Sequence, residues 1–307
     1  QGFPLRASGW VALGGILLWI LTLVFCANQS FGLFDYAASQ MKQSVLMEKE
    51  YINPQTVQIT FPEKKRNLIT IYVESAETTN QDKANGGMFD VNYTPEMTRI
   101  AKENISFSHS HLLEGAVVAP ACGWTIAGLV AETAGLPLKL YGQNDEVGGA
   151  DNGLGRYSAF MPGATMLGDI LGDAGYRLAF MCGSDLTFGG RREMYAQHGG
   201  YEVYDYLEAK LRGIIAKDYH EHWGFEDEKL YSWAQKVLTE FSSSDQPFHF
   251  ALLTVDTHSP DGYLCSLCPN TYDKQLANAL VCSSGQLDAF LKWWEQQPFY
   301  ENTPVVV

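Results

Sequence analysis

Positive charge is scarce in this chain: 21 lysines and arginines face 35 aspartates and glutamates, for a net charge of −14. Such a surface repels phosphate backbones, which excludes nucleic acid as a partner. The chain has no internal repeat and no low-complexity tract, so a solenoid is excluded. A composition that is 46% hydrophobic and 18% charged over 307 residues excludes a disordered or fibrous chain and suffices for one large domain plus a smaller part.

Only one long hydrophobic run is present, Gly9 to Ala27 (GWVALGGILLWILTLVFCA), and it carries no charge. It is long enough to cross about 30 Å of hydrocarbon as a helix. A secretory signal is the alternative, but Trp10 and Trp19 lie within the run and no small-residue cleavage pattern follows it. The run reads as a transmembrane helix. Arg6 before it and Asp35 after it place residues 1–8 in the cytoplasm and the remainder outside. Without Arg6 the outer portion carries −15. Six cysteines suit an oxidising compartment: Cys26 falls in the span, and Cys122, Cys182, Cys265, Cys268 and Cys282 lie outside. Cys265-Ser-Leu-Cys268 has zinc-site spacing. A single such pair, with no second pair or nearby ligand histidines, reads as a disulfide or loop feature.

Residues 28–66 read as a connector, with a helical-looking piece from Asp35 to Glu50 and the basic run Lys64-Lys65-Arg66. Beyond it, Asn67–Val73 (NLITIYV) is an apolar, β-branched run ending at Glu74-Ser75, the pattern of a buried parallel strand that delivers polar groups at its C-terminal end. The punctuation recurs. A helix-like stretch from Ala164 to Ala174 precedes Tyr176–Met181, which leads to Ser184-Asp185, and another from Glu228 to Phe241 precedes Pro247–Val255, which leads to Asp256-Thr257-His258. A further strand begins near Thr303. Alternation of this kind predicts an α/β fold: a mostly parallel sheet sandwiched by helices, over residues 67–307.

Thr125, in Cys122-Gly-Trp-Thr-Ile-Ala-Gly-Leu129, sits where an apolar helix should begin. It is either a helix cap or a nucleophile whose poor acidity a metal offsets. Glu74 is a metal ligand or a solvated acid. His258 contacts phosphate or is a hydrogen-bonded structural residue. Arg191 and Arg192 follow a glycine pair and suit phosphate oxygens, or are simply solvated. His109 and His111 would share one side of an extended segment, as metal ligands or as loop residues, and His220-Glu221-His222 reads as a surface feature.

In order along the chain, NLITIYVES, CGWTIAGLVAETAGLPL, FMPGATMLGDILGDAGYRLAFMCGSDLTFGGR, HWGFEDEKLY and LLTVDTHSPDGY resemble the phosphoglycerol transferase I family, which is similar to the lipoteichoic acid synthases and more remotely to phosphoethanolamine transferases and sulfatases. The resemblance covers residues 67–307. It implies an alkaline-phosphatase/sulfatase-like fold and transfer of phosphoglycerol from phosphatidylglycerol to a periplasmic glucan or similar polymer. The setting would be the bacterial inner membrane, with the catalytic domain in the periplasm. Glu74 and Thr125 would be ligands of a divalent metal (manganese, magnesium or zinc), with Thr125 attacking phosphorus. His258 would contact the head group and Arg191 the phosphate, with Trp124 and either Asp185 or Ser184 beside the substrate. The lipoteichoic acid synthases have Trp-Asn where this chain has Gly189-Gly190, a difference in the head-group pocket.

The family's remaining ligands, an Asp-His pair, are expected beyond Val307, and further membrane helices before Gln1. The 307 residues would then be truncated at both ends and inactive alone. A sulfatase would need Cys-x-Pro-x-Arg, whereas Cys122 precedes Gly-Trp-Thr-Ile. A phosphoethanolamine transferase, or a non-catalytic membrane-tethered binding module, remains as the alternative.

Overall fold

The computed structural model describes residues 5–41, 49–138 and 158–307. Residues 1–4 of the expected cytoplasmic flank and 42–48, the middle of the helical-looking piece, lie outside the described residues. The chain divides into two compact units, Gln1–Val57 and Gln58–Val307.

The first unit holds α1 (Leu5–Phe31) and α2 (Leu33–Met41). Within α1, Gly9–Ser30 is the one helical segment among the described residues long and apolar enough to cross a membrane. Its 22 residues rise about 33 Å at 1.5 Å each. Trp10, Leu17, Trp19 and Phe25 are all exposed on it, as side chains meant for lipid would be. Gly32, at φ 60°, ends α1 in the left-handed conformation that glycine alone adopts cheaply, and Asn28 Oδ1 accepts the Phe34 amide to start α2.

The second unit is built on five parallel strands: β1 (Leu68–Tyr72), β2 (Arg177–Cys182), β3 (Glu202–Tyr204), β4 (Phe248–Leu253) and β5 (Val305–Val306), in the order β3-β2-β4-β1-β5. All six residues of β4 are buried, because helices cover both faces. Its connecting helices are α3 (Pro95–Glu103), α4 (Thr125–Ala134), α5 (Leu167–Asp173), α6 (Arg191–Gln197), α7 (Tyr206–Leu211), α8 (Asp227–Phe241) and α9 (Gln275–Glu295). The α/β expectation therefore holds, with β1, β2 and β4 within a residue or two of the predicted runs.

Strand alternation sorts the core into two layers. Ala179, Met181, Phe248, Phe250 and Leu252 face α8 and α9, where α8 contributes Leu230, Trp233, Ala234, Val237, Leu238 and Phe241 at helical spacing. Leu178, Phe180, Cys182, Ala251 and Leu253 face the other way, against α4, α5 and α6. There α4 buries Ile126, Ala127, Leu129 and Val130, which fixes its first residue, Thr125, relative to the sheet.

One histidine is locked into this core. His249 on β4 is 1% exposed, its ring nitrogens bonded to Thr70 Oγ1 (3.1 Å) and Tyr201 Oη (2.8 Å). Burial pushes its pKa down to about 4. An unfolded histidine titrates near 6.5, so the unfolded chain binds the extra proton and stability falls as pH drops from about 6.5 through 4, by up to about 3 kcal/mol. Thermal melts across that range should show the loss, and His249→Gln should flatten it from a lower starting stability.

Candidate active site

Parallel sheets of this kind gather their chemistry at the strands' C-terminal ends, and three of them meet here. Glu74 follows β1. Its backbone is clamped on both sides: its N–H donates to Thr254 Oγ1 at 3.0 Å, and its carbonyl accepts from the Thr257 hydroxyl. Thr125 opens α4, 51 residues away in sequence, and its Oγ1 lies 3.2 Å from both Glu74 carboxylate oxygens. No side-chain hydrogen bond caps this helix, so the cap alternative for Thr125 finds no support in the geometry: the hydroxyl goes to Glu74.

The local backbone is strained where the site is made. Ser75 (φ 52°), Ala121 (φ 63°) and His222 (φ 50°) adopt left-handed conformations without being glycine. They lie beside Glu74, in the loop before Thr125, and beside Trp223. Strain of order 1–3 kcal/mol per residue persists where surrounding structure enforces it, and functional sites are where it concentrates.

His258 follows β4, its Nδ1 2.7 Å from the Ser259 carbonyl oxygen. Its ring packs against Trp223 at 4.6 Å between centroids, and Trp223 also meets Phe188 at 5.7 Å. The loop carrying Trp223 is held to the end of β2: Phe225 N–H donates to the Gly183 carbonyl at 3.0 Å, and a Cβ on Gly183 would fall 2.4 Å from the Phe225 oxygen. The reading of His220-Glu221-His222 as a surface feature is corrected at His222. Its Nε2 is buried without a partner among the described residues, and desolvation, with His258 nearby, lowers its pKa. An aromatic wall of Trp223, Phe188 and the two imidazoles was not foreseen; the HWGF string carried no spacing signal that would have pointed to it.

Arg191 is 6% exposed. Nε and Nη2 donate to the carbonyls of Phe188 (3.0 Å) and Asp185 (2.9 Å), so the guanidinium braces the loop from 185 to 190. Asp185 Oδ1 accepts from Thr187 N (2.9 Å) and Oγ1 (2.8 Å), shaping the same loop. Arg192 pairs with Asp205, fully buried, which also caps α7. Trp124 is 38% exposed directly before Thr125. His109 and His111 are exposed in an irregular segment rather than an extended one.

A buried acid pair lies under the site. Asp227, at the start of α8, accepts the amides of Val255 (2.8 Å) and Asp256 (3.0 Å), while Asp256 Oδ2 accepts the Asp227 amide at 3.1 Å. Asp256 Oδ1 is buried with no partner among the described residues. Desolvation first, then mutual repulsion, raises the Asp256 pKa; desolvation also raises that of Asp227, and the Glu74 charge adds to it. A carboxyl held above its unfolded value near 3.9 stabilises the fold when protonated, and the contribution is lost as pH rises above the usual carboxylate range. Asp256→Asn should therefore lose less thermal stability than the wild type between weakly acidic and alkaline pH, as measured by melts in parallel buffers.

The Glu74–Thr125 pair brings hard oxygen donors together, with Thr125 Oγ1 3.2 Å from each carboxylate oxygen. That donor set fits a magnesium- or manganese-like cation, and zinc also accepts carboxylate oxygen.

Residues 66–307 match the sulfatase family. The chain belongs to that family. It is 35% identical over 255 residues to the phosphoglycerol transferase I of Escherichia fergusonii, covering 81% of this chain and 31% of that relative. A phosphoglycerol transferase I of Escherichia coli matches at 34% with the same coverage. The chain thus spans about a third of the length of these relatives. Among solved structures, an alkaline phosphatase superfamily protein from Vibrio parahaemolyticus superposes with TM-score 0.60 at 19% identity, over 80% of this chain and 54% of that one. The lipoteichoic acid synthase LtaP of Listeria monocytogenes gives 0.57 at 19%, over 80% and 56%. These likenesses agree with the sequence resemblance in fold.

Proposed function

We propose that this chain carries the nucleophile of a membrane-anchored phosphoglycerol transferase that takes its group from phosphatidylglycerol and passes it to a hydroxyl of a glucan or related polymer. The observation that supports this reading most is the contact of the Thr125 hydroxyl with both oxygens of Glu74. A capping or solvated threonine has no reason to face a carboxylate at the end of a strand.

In the first half-reaction Thr125 Oγ1 bonds to phosphorus, the bond from phosphorus to the diacylglycerol oxygen breaks, and diacylglycerol leaves with a proton. In the second, an acceptor hydroxyl bonds to phosphorus and the threonine oxygen is released, so the enzyme is restored. Glu74, which accepts the Thr125 hydrogen bond, is the nearest base for the hydroxyl proton. Glu74 and Thr125 would hold a divalent cation, which when bound supplies Lewis-acid polarisation of the phosphoryl oxygens and lowers the acidity barrier of the threonine. Trp223 and His258 form the wall against which a glycerol head group would lie, and Arg191 holds the loop beneath it. Trp124 and Asp185 flank the entrance in this reading. The apolar α1 helix would anchor the protein in the membrane that contains its donor, with the catalytic unit on the extracytoplasmic side of a bacterial inner membrane.

The test is donor choice. Full-length protein with manganese and vesicles containing either phosphatidylglycerol or phosphatidylethanolamine should release diacylglycerol from the first. Preferential release from the second would transfer the protein to the phosphoethanolamine class, and release from neither would leave a binding module.

A further inference from the structure

Well along the chain from Thr125, three cysteines converge. Cys268 and Cys282 form a disulfide, and the free Cys265 Sγ lies 3.6 Å from Cys268 Sγ and 3.9 Å from Cys282 Sγ. Cys265 and Cys268 come from the loop after His258, whereas Cys282 projects from α9. The pair read as a disulfide or loop feature thus gains a third sulfur that sequence spacing could not supply.

A fourth group points at the same place. Gln286 lies one helical turn beyond Cys282 and is 8% exposed, with Nε2 at 3.4 Å from Cys282 Sγ and 3.6 Å from Cys265 Sγ. Its Oε1 is buried with no partner among the described residues. Amide nitrogen and oxygen differ only by a half-turn of the side chain. Turned over, Gln286 aims the orphaned oxygen at the sulfurs.

We propose that Cys265, Cys268 and Cys282, once the disulfide is reduced, form a three-thiolate site for a thiophilic d10 cation such as zinc, with Gln286 Oε1 in the fourth position. Zinc–sulfur bonds of about 2.3 Å put the sulfurs of a tetrahedral site about 3.8 Å apart. The two distances from Cys265, 3.6 and 3.9 Å, lie on either side of this value. Reduction takes two electrons and two protons from a dithiol, which leaves as its own disulfide; metal binding then displaces the protons from the three thiols.

Internal disulfide exchange is the competing use of a third thiol. It needs the attacking sulfur to enter opposite the leaving one, but Cys265 is nearly equidistant from both and so meets the bond from the side. The site would therefore alternate between a disulfide in oxidising surroundings and a metal clasp in reducing ones, and either form ties the loop after His258 to α9.

Full-length protein, reduced with a phosphine and kept anaerobic, would be titrated with cadmium while the ultraviolet thiolate-to-cadmium absorption is recorded. The band should saturate at about one ion per chain, be missing from protein kept oxidised, and survive Cys122→Ser and Thr125→Ala. Carboxylate and hydroxyl ligands give no such band, so the Glu74–Thr125 pair cannot produce it. Cys265→Ser folds with the Cys268–Cys282 bond in place and after reduction offers two thiolates, so its band should be weaker and its cadmium affinity lower than wild type; Gln286→Leu should keep the full band at weaker affinity. A reduced wild type without the band, or Cys265→Ser indistinguishable from wild type, would overturn the proposal.

Discussion

Thr125→Ala is expected to lower diacylglycerol release by on the order of ten thousandfold, the scale on which enzymes that form covalent intermediates lose turnover when the nucleophile is removed. The fold should scarcely notice. Thr125 caps nothing in α4, and its hydroxyl makes contact with Glu74 alone at the surface of the site. Losing that hydrogen bond costs about 1 kcal/mol, and alanine's better helix propensity offsets part of it. A cap would behave in the opposite way, losing about 0.5–2 kcal/mol of stability while leaving turnover unchanged. Thermal melts and lipid release measured on the same preparation separate the two. Thr125→Ser, which keeps an oxygen at the same place, should retain measurable release.

Glu74→Gln should weaken divalent-metal affinity by at least about a hundredfold, since changes to groups that merely orient a ligand already cost ten- to a hundredfold. The amide is nearly isosteric. The backbone clamps to Thr254 and Thr257 do not involve the carboxylate, so the end of β1 should stay in place. Turnover should fall with the metal, and raising the metal concentration should restore part of it. Manganese titration of wild type and variant checks this, and unchanged affinity would remove Glu74 from the ligand set.

The strands were legible because a parallel strand covered on both faces has no alternation to hide it: NLITIYV, YRLAFM and PFHFALLTV read as continuous apolar runs. β3 was not, having only three residues at the sheet edge. α9 was missed for a different reason. Its buried side carries Asn278, Ser283, Ser284, Gln286 and Asp288, which break the apolar stripe. Two of these groups have partners that no periodicity shows: Ser284 Oγ accepts the amides of Glu96 and Met97 at the start of α3, and Asn278 Oδ1 accepts those of Thr271 and Tyr272.

At the site, Glu74 and Thr125 stood out because each marks the junction of an apolar element with a polar loop. The Asp227–Asp256 pair could not be read in this way, since 29 residues separate two acids that only the docking of α8 on β4 brings together. His222 and Trp223 sit in a polar stretch with no periodicity, and the backbone bridge to Gly183 alone places them beside His258.

Membership of the sulfatase family sets the fold and leaves the chemistry to the nucleophile, a role the proposed function assigns to Thr125; Cys122 lacks the Pro-x-Arg continuation of a sulfatase. The most direct measurement is the intact mass of full-length protein after incubation with phosphatidylglycerol and manganese, without acceptor. The account predicts a phosphoglycerol adduct on the wild type, mapped to the peptide containing Thr125 and missing from Thr125→Ala. Undiminished diacylglycerol release by Thr125→Ala, with no adduct on either protein, would contradict it.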